Sequence, residues 1–274
     1  MRKEIRMKVT HDFHIHTDLS ICANETATLD NYIGIAKKLG LKKIGISNHF
    51  WDSRIPGAFD FYQIQDYDHV AQIRPEIDKA NAEEDIKIYF GCECEYDPAH
   101  RDVAVTEETA EKFEYILVPH SHTHVIMPRE YYEPYQKHID FMIQGYEDIL
   151  NSKVSKYITA VAHPFCAVCC PYDREILINM IPDDTFRRLF DQTANKGIAF
   201  ELNVDYMAKF KKSYEEIAEA AHIRMFRLAK EMGCKFIFGS DAHSTTEHKT
   251  YEQLTQIFVD LLGLKETDLA DIAR

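Results

Sequence analysis

Apolar positions along this chain fall into two alternating patterns. Short runs rich in β-branched and aromatic residues read as strands over 8–16, 43–48, 86–95, 115–119, 158–163, 197–203 and 235–240. Between them lie stretches with helical spacing. Leu29, Tyr32, Ile33 and Ala36 form one stripe that stops at Gly40. Val70, Ile73 and Ile77 form a second, which Pro75 is expected to kink. A long helix is expected from about Glu130 to Asn151. Ser213 and Glu216 read as a capping box that opens a helix through Ile217, Ala221, Leu228 and Met232 to Gly233. Leu254, Ile257, Phe258, Leu261 and Leu262 make the last stripe, before Gly263.

Seven strands alternating with helices predict a parallel sheet in an α/β fold. Polar residues recur at the C-terminal ends of the strand runs, where the loops of a β/α barrel converge on one mouth. An open doubly wound sheet would instead gather ligands at one switch point. No G-x-G-x-x-G or other glycine-rich phosphate loop supports that alternative. A closed or nearly closed barrel is therefore expected. No Pro/Gly/Ser-rich linker, low-complexity tract or short repeat divides residues 1–274, which read as a single domain.

Composition narrows the function classes. The 274 residues are 45% apolar, enough for a full core, and carry a formal net charge of −13. That charge weighs against a basic face for a phosphate backbone, so nucleic acid is not an expected partner; bound divalent ions would offset part of it locally. No run approaches the length of a membrane span. The basic start Met1-Arg-Lys-Glu-Ile-Arg has no apolar stretch before Asp12 and does not read as a secretory signal, so cytoplasmic residence is the expectation. Seven cysteines then read as thiols rather than disulfides. Cys92-Glu-Cys94 and Cys166-Ala-Val-Cys169-Cys170 contain one C-x-x-C and lack the usual spacing of a structural metal site; most of these residues read as small buried apolar groups.

Candidate chemistry starts at Asp12-Phe-His14-Ile-His16. Period-2 spacing on a strand is expected to set the carboxylate and both imidazoles on one face. Imidazoles at the end of an apolar strand are suitable ligands for a divalent metal. One H-x-H pair is common in strand cores. Here further candidates recur at strand ends: Asn48-His49, Glu93, His122, His163-Pro164 and Ser240-Asp241-Ala242-His243. The recurrence points to a metal hydrolase.

In this order the residues His14-x-His16, His49, Gly91-Cys-Glu93, His122, His163-Pro164 and Ser240-Asp241-Ala-His243 resemble the PHP (polymerase and histidinol phosphatase) superfamily, from residue 12 to 243. The resemblance implies a distorted seven-stranded (β/α)7 TIM-like barrel, two or three divalent ions (Zn, Mn or Fe) and phosphoesterase activity. Carried over by motif, it implies that His14, His16, Glu93 and Asp241 hold one metal, with Glu93 bridging to a second held by His122 and His163. A third would use His49, His243 and the residue six positions after His16. That residue is Cys22, where many phosphatase members have histidine. A thiolate suits zinc and binds manganese or magnesium poorly, so the third site is either zinc-biased, or weak or absent.

Two choices stay open in the sequence. Glu93 and Glu95 share a strand face, with the G-x-E spacing favouring Glu93 as the bridge. His120, His122 and His124 alternate likewise; His122 fits the strand spacing best, and His120 and His124 are candidates for substrate contact. Asp12 is expected to orient a ligand imidazole through its other nitrogen. The resemblance implies a small phosphomonoester, histidinol phosphate among the candidates, attacked by a metal-bridging hydroxide. Glu93 would be the essential bridge, and Asp241 or His243 would supply a proton to the leaving alcohol. Arg54, Arg129, Lys211 and Lys212 lie in expected strand-following loops and could grip phosphate, and Phe50-Trp51 and Tyr131-Tyr132 could line an organic pocket. Two other classes stay in play. An amidohydrolase or deaminase also uses H-x-H, later histidines and a final aspartate, but often bridges its metals with a modified lysine, and no lysine ends a strand here. A non-catalytic metal-binding regulatory relative would be expected to have lost several ligands.

Overall fold

The computed structural model describes residues 6–170, 173–204 and 214–274. Seven parallel strands form the barrel wall: β1 (His11–Ile15), β2 (Lys43–Ile46), β3 (Lys87–Cys94), β4 (Tyr115–Pro119), β5 (Ala160–Ala162), β6 (Ala199–Asn203) and β7 (Phe236–Gly239). Each pairs with the next in chain order. Just beyond β2, a two-residue strand, His49–Phe50, pairs with β3 and sets His49 opposite Glu93.

The barrel is nearly closed between β7 and β1, and side chains do much of the closing. At the mouth the backbones meet directly: Asp241 N donates to His14 O (2.8 Å) and His16 N to Ala242 O (2.9 Å). Below that point Phe238 N donates to His11 Nε2 (3.0 Å) and Ser240 N to Asp12 Oδ1 (2.9 Å). Burial pushes the His11 imidazole down to about 3, which keeps it neutral and able to accept. His248 Nε2 meets the other Asp12 oxygen at 2.9 Å. Asp12 is thus a seam residue and does not orient a ligand imidazole. A register irregularity between Asp12 and Ile15 breaks the alternation that would have kept it on the face of His14 and His16.

Below the mouth the barrel is plugged by Tyr115, packed edge-on against Phe13 at 5.4 Å between centroids. Gly91 and Gly45 make this possible. A Cβ on Gly91 would sit 2.2 Å from Tyr115 Cε1, and one on Gly45 would sit 2.4 Å from its hydroxyl.

The helices follow the apolar stripes with instructive exceptions. Leu29–Leu39 opens on Thr28, whose side chain accepts from Asn31 N, and closes on left-handed Gly40. Tyr251–Leu262 closes on Gly263 in the same way. Pro75 does not kink a helix: it lies in the first turn of Arg74–Glu83, where its missing N–H is harmless. The long helix begins at Tyr135 and runs to Asn151. Ser213 lies outside the described residues. The helix expected to follow it is two, Tyr214–Ala218 and Ala221–Glu231, because extended Ala220 interrupts it and the Glu175 carboxylate caps Ala221 N. A helix over Asp183–Asn195 was not anticipated; it buries Phe186, Leu189, Phe190 and Thr193. Among the described residues no helix is long and apolar enough to cross a membrane.

Candidate metal centre

Glu93 leaves the end of β3 fully inside the barrel mouth, and histidines from four other strand ends converge on it. Its Oε2 lies 3.4 Å from His14 Nε2, 3.5 Å from His16 Nε2 and 2.9 Å from His49 Nδ1. Its Oε1 lies 2.8 Å from His163 Nε2 and 3.6 Å from His122 Nε2. Asp241 Oδ1 is 3.3 Å from both His14 Nε2 and His16 Nε2, which are 3.0 Å from each other.

These spacings fit metal ions. Four tetrahedral donors with bonds of about 2.0–2.1 Å to one ion stand about 3.3 Å apart. His14, His16 and Asp241 stand 3.0–3.3 Å apart, Glu93 Oε2 stands 3.4–3.5 Å from the same two imidazoles, and Glu93 Oε1 faces His122 and His163. Glu93 Oε2 and His49 Nδ1 are buried and face each other at 2.9 Å without an aligned hydrogen bond, an arrangement that a shared cation would satisfy. His16, His49 and His243 also bring one nitrogen each close enough to share an ion. The His16 ring stacks on His243 at 4.2 Å.

The outward nitrogens are held as metal-binding imidazoles require. His14 Nδ1 donates to Glu201 Oε1 at 2.7 Å, and His16 Nδ1 meets Ser20 Oγ at 3.2 Å. His122 Nδ1 donates to Glu95 Oε2 at 2.8 Å, His163 Nδ1 meets Ser121 Oγ at 2.7 Å, and His243 Nδ1 donates to Asp241 O at 2.8 Å. Each contact turns Nε2 away from its partner, and for His14, His16, His122 and His163 that is towards Glu93. Two of the residues sit in strained backbone: His163 has φ 25° and Asp241 φ 54°, in the left-handed region that non-glycine residues rarely occupy.

The electrostatics reflect the crowding. Burial alone would depress His14, but Glu201, Asp241 and Glu93 outweigh it and hold the imidazole well above its ordinary value. His122, opposed by burial but flanked by Glu93 and Glu95, is pushed up to about 9. His16 goes well below, through burial and then its neighbours His243 and His49. Burial opposes ionisation of Glu93 and Asp241, yet the surrounding imidazoles keep both carboxyls far below the usual range. The cluster is built to balance charge among its own members.

The structure separates the remaining candidates. Glu95 stands behind His122, bonded also to Tyr62 OH, and does not touch the other histidines of the cluster. His120 is a core residue, its Nδ1 donating to Met142 O and its Nε2 accepting from Phe165 N. His124 and Cys22 line a cavity of about 330 Å³ together with His49, His122, Asp241 and His243. Burial, followed by the Glu93 charge, pushes the Cys22 thiol up to about 12. Arg54 and Arg129 do not line this cavity. The Arg54 guanidinium is engaged by Asp52 and Glu108, and Arg129 is exposed in the turn Arg129–Tyr131. Phe50 and Trp51 are buried in the core, and Tyr131 is outside the cavity too. Lys211 and Lys212 lie outside the described residues. Glu201 escaped the sequence reading altogether; its signal was an unexplained acid in the apolar run 197–203. Gly239 makes its room, since a Cβ there would lie 2.0 Å from Glu201 Oε1.

Comparison with known proteins bears on the fold and the family. The fold resembles a histidinol phosphate phosphatase from Lactococcus lactis solved with zinc, L-histidinol and phosphate: TM-score 0.63, 14% identity, 93% of this chain and 94% of that one covered. A Listeria monocytogenes protein provisionally designated a histidinol phosphatase gives a TM-score of 0.62 at 14% identity, over 88% and 99% of the two chains. No curated protein sequence shows a significant match. The sequence model of the PHP domain matches residues 12–219, so the chain belongs to the PHP domain family.

Proposed function

We propose that the protein is a metal-dependent phosphomonoesterase, acting as one catalytic domain on a small phosphorylated compound. The observation that carries this reading is the placement of Glu93, whose two oxygens face two different groups of donors. A carboxylate set between two cations offsets their mutual repulsion. His14, His16, Glu93 and Asp241 would hold one ion, and Glu93, His122 and His163 a second. His49, His243 and Cys22 would form a third position, whose thiol favours zinc. Bound ions of this kind acidify water and neutralise charge on the oxygens of a phosphate ester.

The chain's own groups supply the rest. With its Nδ1 committed to Asp241 O, His243 presents Nε2 at the cavity, where it can bind metal or hold the proton that the leaving alcohol needs. His124 reaches the same cavity as a neutral substrate contact, since burial and then His122 push it down to about 4. Arg54, tied to Asp52 and Glu108, takes no part. The glutamate at the centre, where amidohydrolases often carry a modified lysine, favours the ester hydrolase.

Phosphate release from a panel of monoesters that includes histidinol phosphate, beside a diester, tests the reading. The protein is stripped of metal and reconstituted separately with zinc, manganese or iron. Metal-dependent release from monoesters is expected. Stoichiometric binding without release from any compound would shift the assignment to an amidohydrolase or a regulatory metal-binding protein.

A further inference from the structure

The cavity over the candidate ligands is about 330 Å³, at the small end of ligand sites. Away from those ligands its wall is Phe61, Tyr62, Val125 and Val168, with His124 and Cys169 beside them. Two apolar side chains close by in the sequence are exposed, Ile21 at 54% and Ile64 at 57%. They sit on the loops that supply Cys22, Phe61 and Tyr62, and those loops are joined by a hydrogen bond from Ile21 N to Gln65 Oε1 (3.2 Å). Among the described residues no arginine or lysine lines the cavity. The carboxylate in the lining, Asp241, is engaged with His14 and His16. Against Phe61, Tyr62, Val125 and Val168 a charged group would lose hydration that these side chains do not replace, whereas an apolar group gains by leaving water.

We propose that the cavity accepts a compact, uncharged, apolar group. Resting on the phosphomonoesterase reading, that group is the leaving alcohol, so the substrates are aryl or short alkyl phosphates. Esters whose alcohol carries a second anion or an ammonium are disfavoured, and histidinol phosphate falls among them.

Binding and turnover are measured on the zinc- and manganese-loaded full chain. Calorimetry compares phenylphosphonate, 2-aminoethylphosphonate and 3-phosphonopropionate, while hydrolysis compares phenyl phosphate, phosphoethanolamine and 3-phosphoglycerate. Phenylphosphonate is expected to bind about tenfold or more tightly than either charged analogue, a margin within reach of an apolar pocket. Val168→Lys is expected to shift the preference towards 3-phosphonopropionate. Equal binding, or a charged analogue preferred by the unmodified protein, overturns the proposal. The expected binding order without hydrolysis of any ester by any metal form keeps the apolar pocket and removes the phosphoesterase. Hydrolysis of all three esters without an order in binding does the opposite.

Discussion

Glu201 Oε1 accepts a hydrogen bond from His14 Nδ1 across 2.7 Å, with both side chains fully buried. The contact fixes which nitrogen of His14 faces the other candidate ligands and strengthens it as a donor. Replacing Glu201 with Gln is expected to weaken metal binding about 10- to 100-fold. Competition against a chromophoric chelator reads this directly, and an unchanged affinity would show that Glu201 only fills space.

Glu93 is expected to be indispensable in a different way. Glu93→Ala removes the one carboxylate facing both donor groups, and with it the acid paired with the buried imidazoles of His49 and His163. Elemental analysis should find fewer ions per chain, and phosphate release should fall to the level of the metal-free protein. A variant that keeps its rate would overturn the bridge.

Cys22 separates zinc from manganese. With Cys22→Ser, zinc stoichiometry is expected to fall by up to one ion per chain, with little change for manganese, which binds thiolate poorly. If the zinc count and the rate are both unchanged, the thiol is wall rather than ligand.

The metal-free protein should show an unusual pH response. His14 and His122 have folded values raised above the ordinary imidazole, His122 from 6.5 to about 9. Such a group stabilises the fold fully below its unfolded value, and the contribution disappears as pH climbs through the folded one. Thermal stability in chelator should therefore decline between pH 6.5 and about 9. Bound metal replaces those protons, so the loaded protein should not decline over the same window. Melting curves at matched pH decide it; a flat metal-free profile would mean that the carboxylates do not hold these protons.

Much of this site was legible because its donors stand at strand ends, where short spacings such as His14-x-His16 translate into convergence. Glu93 was legible for the same reason. Glu201 was not, since a lone acid within an apolar strand shows no partner in sequence, and its partner is 187 positions away. Arg54 and Arg129 were chosen by loop position, but the reach of a flexible cation depends on neighbours, and Asp52 and Glu108 capture Arg54. Asp12 broke the period-2 reading because an irregularity in β1 turned it into the seam. The helix over Asp183–Asn195 was overlooked because its stripe is short and flanked by Asp183, Asp184, Arg187 and Arg188.

The seam between β7 and β1 has a dynamic consequence. The amides of Phe238 and Ser240 are protected by the side chains of His11 and Asp12, not by a neighbouring peptide backbone. A single substitution can therefore loosen this edge while the other strand pairs stay intact. Deuterium uptake at those two amides should rise in His11→Leu or Asp12→Ala while the central strands keep their protection. Because Asp241 and His14 lie on either side of the same line, the residence time of an ion held there is expected to follow how often the barrel breathes.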